Sequence, residues 1–270
     1  MALSRVRPTV VPLGRPARLA VLVGAAVTAI LALALYGPVP QPPSYNAFAD
    51  QRAILGIPNF WNVVSNLAFV IVGCWGLTVL GRGRCAGVLG RLRAAWLCLF
   101  GGAVLVGVGS TYYHLAPSDA TLAWDRLPMT IVFMALFAIV MGEWVGLAWG
   151  ARLLAPLVLV GVGSVVYWRV AGDLRPYILV QYLPGLLIPI ILLMFRPALR
   201  PVSYLWAGLG LYVIAKALEV LDGQIYRALG GVGGHPLKHL VAACSIGAFV
   251  LAACRRRSSR EATAAEYRSR

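Results

Sequence analysis

The chain alternates between long apolar segments and short segments that hold most of its charged residues and prolines. Eight apolar segments each approach or exceed the length of about 20 residues with which an α-helix crosses a bilayer. The predicted spans cover residues 19–35, 60–80, 94–113, 122–147, 153–170, 177–194, 205–221 and 236–253. The pattern therefore predicts an all-α fold, a polytopic membrane helix bundle.

Composition supports this class. Of the 270 residues, 60% are hydrophobic and 12% are charged, and the mean hydropathy is +0.80. Soluble domains contain about 25% charged residues, so the composition excludes an ordinary soluble domain. The five cysteines form no CxxC pair, and we expect neither a disulfide framework nor a cysteine metal site.

The first apolar segment has two interpretations. A basic region precedes it in residues 1–18, which is also the pattern of a signal peptide. The segment is long enough to span, and the Pro-rich stretch that follows lacks a small-residue cleavage site. We therefore favour an uncleaved first helix over a cleaved signal peptide.

The distribution of basic residues predicts the orientation. The net charge is +15, and the side of the membrane that would hold both termini carries 17 of the 24 Lys and Arg residues. The positive-inside rule places that side in the cytoplasm. Such clustering indicates topology rather than nucleic-acid binding. The compact loops and long basic termini favour a bacterial inner membrane protein.

Polar residues collect at the opposite, periplasmic ends of the predicted spans. All three histidines of the chain lie there, His114, His235 and His239. Ionisable groups at membrane depth are costly and usually mark a functional site. The other polar residues predicted at this end are Ser110, Asp125, Asn62, Asn66, Glu219 and Asp222.

The spacing of these residues indicates a metal site. His235 and His239 are four residues apart, as are Ser110 and His114, so each pair shares a helix face. Three neutral imidazoles with an open fourth position match a catalytic zinc (Zn²⁺) site. Asp125 is the expected proton acceptor, and Ser110 the expected hydrogen-bond donor to an oxyanion. Metal-assisted hydrolysis of a lipid that enters laterally is the predicted chemistry.

Several of these residues also have purely structural interpretations. An isolated membrane histidine more often packs or hydrogen bonds than binds a metal. Asp125 could pair with Arg126 or with a neighbouring helix, and Ser110 could bond to a helix carbonyl. Asn62 and Asn66, which share a face with Ser65, could serve helix–helix hydrogen bonding or lie near the site.

The seventh and eighth spans hold further charges. Glu219 and Asp222 are predicted to orient the metal ligands or to pair with Lys216. Lys238 is predicted to reach towards the membrane interface.

At these residues the chain resembles the alkaline ceramidases of the CREST hydrolase superfamily, which includes the adiponectin-receptor-like proteins. The resemblance rests on Ser110-x3-His114-x10-Asp125 followed by His235-x3-His239. The Phe60-Trp-Asn-Val-Val-Ser-Asn66 segment and the Gly234-His-Pro-Leu-Lys-His239 segment resemble the first-helix and last-helix motifs of that family. The likeness covers residues 50–253.

The resemblance implies a seven-helix core formed by the second to eighth spans. It also implies zinc held by His114, His235 and His239, with Ser110 and Asp125 in catalytic support. Such enzymes cleave the amide of ceramide to a fatty acid and a sphingoid base, and another lipid amide is the alternative substrate. The expected domains are an N-terminal extension, residues 1–45, the core, residues 46–254, and a basic disordered tail, residues 255–270.

The same resemblance bears on calcium (Ca²⁺). The family binds it through an acidic N-terminal segment and a glutamate before the Trp-Asn pair. Here Asn59 occupies the place of that glutamate, and Asp50 is the one acidic residue upstream. The resemblance therefore implies at most a degenerate calcium site at Asp50 and Asn59.

Three rival functions stay open at this point. A lipid-sensing receptor could keep the same zinc site for structural reasons. A retinal-binding protein could use Lys216 as its Schiff base, but it leaves the histidines unexplained. A transporter is less favoured, since the chain shows no internal repeat.

Overall fold

The computed structural model describes residues 13–85 and 87–258. The first part of the predicted basic N-terminus and most of the predicted basic tail lie outside these residues. Within the described ranges, seven helices are long and apolar enough to cross a membrane, and a pair of helices bent by 75° makes an eighth candidate span. The prediction of an all-α polytopic bundle is confirmed.

The helices follow the apolar segments closely. Their bounds are α1 Arg15–Tyr36, α2 Phe60–Val64, α3 Leu67–Gly81, α4 Arg93–Leu115, α5 Asp119–Val140, α6 Leu147–Ala171, α7 Arg175–Met194, α8 Ser203–Val220, α9 Asp222–Leu229 and α10 Gly234–Arg255. Short 3₁₀ turns occur at Pro43–Asn46 and Gly90–Leu92, and a π-helical turn, Met141–Val145, extends α5. Strands β1 Leu199–Arg200 and β2 Arg257–Ser258 pair antiparallel.

The predicted loop around Arg152 is wrong. The chain turns at Gly146, and α6 begins at Leu147, so Arg152 lies in the second turn of a helix. Its side chain is exposed. An exposed arginine near a helix end can keep its charged group in water, and it therefore does not require a loop.

The seventh span ends differently from the prediction. Helix α8 stops at Val220, and the chain bends by 75° into α9, a short helix that the apolar pattern does not predict. Gly230 ends α9 in a left-handed conformation with φ of 67°, which glycine adopts without steric cost. Asp222, expected at the end of a span, begins α9 instead.

Packing places the core between the central helices. Helix α4 packs against α3 and α5, α10 packs against α8 and α3, and α7 packs against α5 and α6. Helix α1 packs mainly on α7, and few of its side chains are buried. A separate apolar cluster near the histidines includes Phe48, Tyr113, Leu122, Trp168 and Tyr177.

Two glycines permit close helix contacts beside the polar residues. A Cβ atom at Gly109 of α4 would collide with the carbonyl group of Trp124 in α5. A Cβ atom at Gly234 would likewise collide with the carbonyl oxygen of Leu218. Close backbone approach of this kind is typical of small residues in membrane helices. The chain neighbours of these contacts are residues with predicted chemistry, Ser110, Asp125 and His235.

The end of the bundle remote from the histidines holds a buried ion pair. Arg256 donates from Nη1 and Nη2 to the two carboxylate oxygens of Glu143, at 2.6 and 2.8 Å. Both side chains are 0% exposed. The pair joins the end of α5 to the residue that follows α10, so it fixes the C-terminal end of the last helix to the bundle.

Candidate metal centre

The three histidines, distant in sequence, meet at one end of the bundle. Candidate ligand nitrogen atoms of His114, His235 and His239 all lie within 4.8 Å of one another. The ring centroids are 4.9 to 5.0 Å apart, and all three rings are buried. In the described part of the chain, no other group of three His, Cys, Asp or Glu side chains converges in this way. This geometry can hold a metal ion.

Backbone hydrogen bonds position two of the histidines. The side-chain amide of Asn59 donates to the carbonyl oxygen of His114 at 2.9 Å, in the last turn of α4. The backbone N–H of His235, in the first turn of α10, donates to Oδ1 of Asp222 at 2.8 Å. His239 follows one helical turn later, which directs its ring to the same side as that of His235.

The ring nitrogens of two histidines lack protein partners. Among the described residues, no hydrogen bond reaches Nδ1 or Nε2 of His114, or Nε2 of His235. A buried polar atom without a partner costs about 1–3 kcal/mol. Three imidazoles with free nitrogen atoms directed at each other are the donor set that zinc prefers. The residues present therefore fit a zinc ion.

The third histidine has a partner behind it. The hydroxyl of Ser65 is hydrogen bonded to Nδ1 of His239 at 2.8 Å. Ser65 lies at the break between α2 and α3. Such a bond fixes the orientation of the ring and favours ligation through its other nitrogen.

The two asparagines of the same segment bind backbone instead. The amide of Asn62 donates to the carbonyl oxygen of Asp50 at 3.3 Å, and that of Asn66 donates to the carbonyl oxygen of Asn62 at 2.7 Å. Both side chains are buried. The i, i+3, i+4 spacing correctly indicated a shared buried face, but among these three residues the contact to a histidine belongs to Ser65.

Asp125 and Ser110 lie together in the wall of the cavity that also contains His239. Both side chains are buried, and the carboxylate of Asp125 is next to the hydroxyl of Ser110. No ion pair between Asp125 and Arg126, and no hydrogen bond from Ser110 to a helix carbonyl, is found among the described residues. These two contacts are thus not found among the described residues, and the roles of Asp125 and Ser110 stay predictions.

Arg126 points away from its neighbour. Its Nη2 donates to the side-chain oxygen of Gln41 at 2.8 Å. The guanidinium lies over the rings of Trp168 and Tyr177, at 4.3 and 4.6 Å from their centroids. Aromatic faces stabilise a buried cation, so Arg126 is held without the carboxylate of Asp125.

The segment 37–59, here called the outer loop, covers the histidines from outside the bundle. The ring of Phe48 lies 4.6 Å from those of His114 and His235. The hydrogen bonds that join the loop to helix ends include Val39 N to Asp173 (3.0 Å), Tyr113 Oη to Asn46 (2.8 Å) and Ala49 N to Asp222 (2.9 Å). Asp222 thus ties both the loop and α10 in place, and contacts backbone rather than an imidazole.

Both residues of the candidate calcium site have protein partners. The carboxylate of Asp50 is paired with Arg52 at 2.8 Å, and hydrogen bonds from Arg52 hold the pKa of Asp50 below its usual range. Arg52 also donates to the carbonyl oxygen of Gly231. The lowered pKa keeps Asp50 ionised, so this contact weakens only when the pH falls below the usual carboxyl range. The amide of Asn59 is engaged by His114, as described above.

An apolar cavity extends from Asp125 and His239 into the bundle. Helices α4, α5, α7, α8 and α10 contribute its walls. Among the described residues, α7 and α8 make few contacts with each other, and a hydrogen bond from Gln181 to Tyr212, at 3.2 Å, links them. The apolar part of the wall includes Val106, Met129, Ile188, Leu209, Ile246 and Phe249.

Charged residues lie at the polar end of this cavity. Glu219 accepts hydrogen bonds from Lys216 and from Lys238, the latter at 2.5 Å. The predicted pairing of Glu219 with Lys216 is confirmed. The prediction that Lys238 reaches the membrane interface is wrong, because its ammonium group lies in the cavity wall, where a carboxylate on α8 offers a partner.

Sequence reasoning missed Phe48, Ser65 as the partner of His239, and the cavity position of Lys238. A signal existed for Lys238, because residues three apart on a helix are neighbours and Lys238 follows His235 by three. Phe48 gave no usable signal, since it is one apolar residue in an irregular loop.

Comparison with known proteins gives one match. A family model described as Ceramidase matches residues 54–200, more than half of the chain. The matched range includes Ser110, His114 and Asp125, and it ends before His235 and His239. No curated protein and no solved structure matches the chain.

Proposed function

Because this chain belongs to the ceramidase family, we propose that it is a zinc-dependent amidohydrolase that cleaves ceramide or a similar lipid amide. Family membership implies a membrane enzyme that hydrolyses the amide bond of ceramide. The zinc site and the residue roles are our inference. The observation that carries them is the convergence of three buried histidines beside Ser110 and Asp125, with unpartnered ring nitrogens on His114 and His235.

His114, His235 and His239 would hold the zinc ion. An ion bound there supplies Lewis acidity, which polarises a carbonyl group and lowers the pKa of water from about 15.7 to about 7. The protein residues do the rest. Ser65 and the backbone contacts of Asn59 and Asp222 hold the ligands in place, and Phe48 excludes water from the outer side.

Asp125 and Ser110 act on the reacting groups. The carboxylate of Asp125 accepts a proton from the attacking water and delivers it to the leaving amine nitrogen. The hydroxyl of Ser110 donates a hydrogen bond to the carbonyl oxygen as negative charge develops there. Their adjacency, which the close contact at Gly109 permits, supports a joint role at one amide bond.

The cavity suits the acyl chain of a lipid. Its walls are mainly apolar, and it begins at Asp125 and His239. The sparse contact between α7 and α8 offers a route for a lipid from the bilayer.

The distribution of basic residues favours an inner membrane protein with its termini in the cytoplasm and the histidines on the periplasmic side. The core of residues 46–254 is likewise our assignment.

Release of fatty acid from ceramide by the purified protein tests this function. The wild type should release fatty acid, and Asp125→Asn should be slower by a factor of about 10²–10⁴. Asp119→Asn on the same helix is the matched control, since Asp119 contacts Asn46 of the outer loop and does not line the cavity. Equal rates for wild type and Asp125→Asn would contradict the assigned role. A zinc-loaded wild type that cleaves no lipid amide would favour a sensor over an enzyme.

A further inference from the structure

Both lysines of the chain lie on one carboxylate in the cavity wall. The chain has two lysines and 22 arginines, and the lysines are Lys216 on α8 and Lys238 on α10. Each forms an ion pair with Glu219. All three residues line the cavity, and their side chains are between 16% and 30% exposed.

These lysines keep hydrogen-bonding capacity beyond Glu219. Lys238 donates to Oε1 of Glu219 and Lys216 donates to Oε2, so each carboxylate oxygen already accepts from one lysine. An ammonium group has three N–H donors. In the described part of the chain, Glu219 is the one hydrogen-bond acceptor found for either lysine. The lysines can therefore donate to a further acceptor.

The charges of the residues that line the cavity also favour an anion. Among the described residues that line it, Arg126, Lys216 and Lys238 are cations, while Asp125 and Glu219 are carboxylates. The three cations exceed the two carboxylates by one, and the two lysines share Glu219 as their one hydrogen-bonded carboxylate among the described residues. A charge surrounded by apolar side chains is costly unless a counter-charge is present, so an anion is the ligand that this wall favours.

The position of the lysines assigns the anion to one part of a lipid amide. Lys238 lies in the helical turn between His235 and His239, at the level of the metal centre. The apolar wall lies further along the same helices, at Ile246 and Phe249 of α10 and Leu209 of α8. The acyl chain fits that apolar part, so the anion belongs to the amine side of the amide bond.

We propose that Lys216 and Lys238 bind a carboxylate on the amine side of the substrate, which makes acylated amino acids the preferred substrate class. The inference rests on the proposed amide hydrolysis. In that reaction, water supplies a hydroxyl group to the acyl carbon and a hydrogen to the amine nitrogen as the C–N bond breaks. The products are a fatty acid and a free amino acid.

Binding to metal-free protein tests the proposal apart from catalysis. The full chain, purified in detergent and stripped of metal by a chelator, is titrated with N-palmitoylglycine and with N-palmitoylethanolamine, which differ in the carboxylate. Calorimetry should show about tenfold tighter binding of the glycine conjugate. Without bound metal, a metal–carboxylate bond does not contribute to this preference.

Variants locate the effect. Lys238→Met and Lys216→Met should each lose most of the preference, and Lys238→Arg should restore much of it. Arg152→Met, which removes the same charge at an exposed position, should leave it unchanged. Palmitate, the product fatty acid, is titrated as well, because its carboxylate is the other one that the lysines could bind.

Five results would decide for or against the proposal. Equal binding of the two amides by wild type, or binding of palmitate as tight as that of N-palmitoylglycine, overturns the headgroup assignment. A preference that persists in both lysine variants overturns the role of the lysines. A zinc-loaded protein that hydrolyses ceramide without the binding preference keeps the proposed function and rejects this inference. A preference without any hydrolysis rejects the proposed function and the substrate class, and it keeps the two lysines as a carboxylate-binding site.

Discussion

The two ends of the helix bundle both bury polar side chains, but they leave them in different states. At one end, Arg256 and Glu143 are fully buried and satisfy each other through two hydrogen bonds. At the other, the ring nitrogens of His114 have no hydrogen-bond partner among the described residues. The first arrangement is complete without a ligand, and the second is not.

This difference separates structural from functional polarity inside a membrane protein. Burial alone does not distinguish the two ends, since residues at both are almost inaccessible. The indole N–H of Trp144, beside Glu143, also lacks a partner among the described residues, so the ends differ in the convergence of several unpartnered ring nitrogens on one point at the histidine end. A buried group that keeps free donor or acceptor atoms has a cost of about 1–3 kcal/mol, and a bound ion or substrate is the simplest way to offset it.

The largest expected effect is loss of hydrolysis at the histidine end. His114→Ala should reduce the rate by about a thousandfold or more, because metal assistance contributes several kcal/mol to the reaction. The metal-free protein should lose only the packing of the ring against Phe48 and Tyr113, because the lost ring nitrogens have no protein hydrogen bonds. Turnover of ceramide and thermal unfolding in detergent measure both. Hydrolysis by His114→Ala at the wild-type rate would contradict a catalytic role for the histidine end.

The opposite end should respond in stability instead. Arg256→Ala leaves the carboxylate of Glu143 buried without a partner, which should cost about 3–5 kcal/mol of unfolding free energy. Zinc bound per folded chain should be unchanged. Denaturant unfolding in detergent measures the cost, and a double variant, Arg256→Met with Glu143→Gln, should recover much of it. A loss of zinc with no loss of stability would show that the ends are not independent.

Helix packing beside the site should give a smaller effect. Gly109→Ala inserts a methyl group against the backbone of Trp124, which should cost about 1–3 kcal/mol of stability. A displacement of Ser110 and Asp125 by about 1 Å can also lower the rate about a hundredfold. The matched control is Gly101→Ala in the same helix, where a Cβ atom meets no neighbour within 4 Å. Equal stability and equal rates for the two variants would show that the close contact at Gly109 contributes to neither.

The smallest expected effect concerns the orientation of one ring. Ser65→Ala removes the hydrogen bond to Nδ1 of His239 and should weaken zinc affinity about tenfold. Ser44→Ala is a control outside the cavity, in the 3₁₀ turn of the outer loop. Competition for zinc with a chelator of known affinity measures the change. An unaltered affinity would mean that packing, including the contact with Phe69, is sufficient to orient the ring.

Much of the fold was predictable, because lipid solvent imposes a simple rule. Spanning segments must be helical and apolar, so the pattern of hydrophobicity locates them. The bend after Val220 escaped prediction, because no proline marks it and its cause is tertiary: Asp222 turns away to bind the backbone of His235 and Ala49. The prediction of a loop around Arg152, between the spans 122–147 and 153–170, was wrong because one charge is compatible with a helix end.

The convergence of the three histidines was predictable, and the residues that surround them were not. The spacing of His235 and His239, with the topology of eight spans, places three imidazoles at one end of the bundle. The outer loop is irregular, and its contacts with Asp173, Tyr113 and Asp222 depend on long-range geometry that no local pattern encodes. The same holds for Lys238, whose partner lies on another helix.

Metal analysis of the purified protein decides whether the three histidines bind zinc. Wild type, His235→Ala and Arg256→Ala are purified in parallel without added metal and are analysed by elemental mass spectrometry. We expect about one zinc per chain in wild type and in folded Arg256→Ala, and strongly reduced zinc in His235→Ala. Equal zinc in wild type and His235→Ala, or wild type that binds none when zinc is supplied, would contradict this expectation.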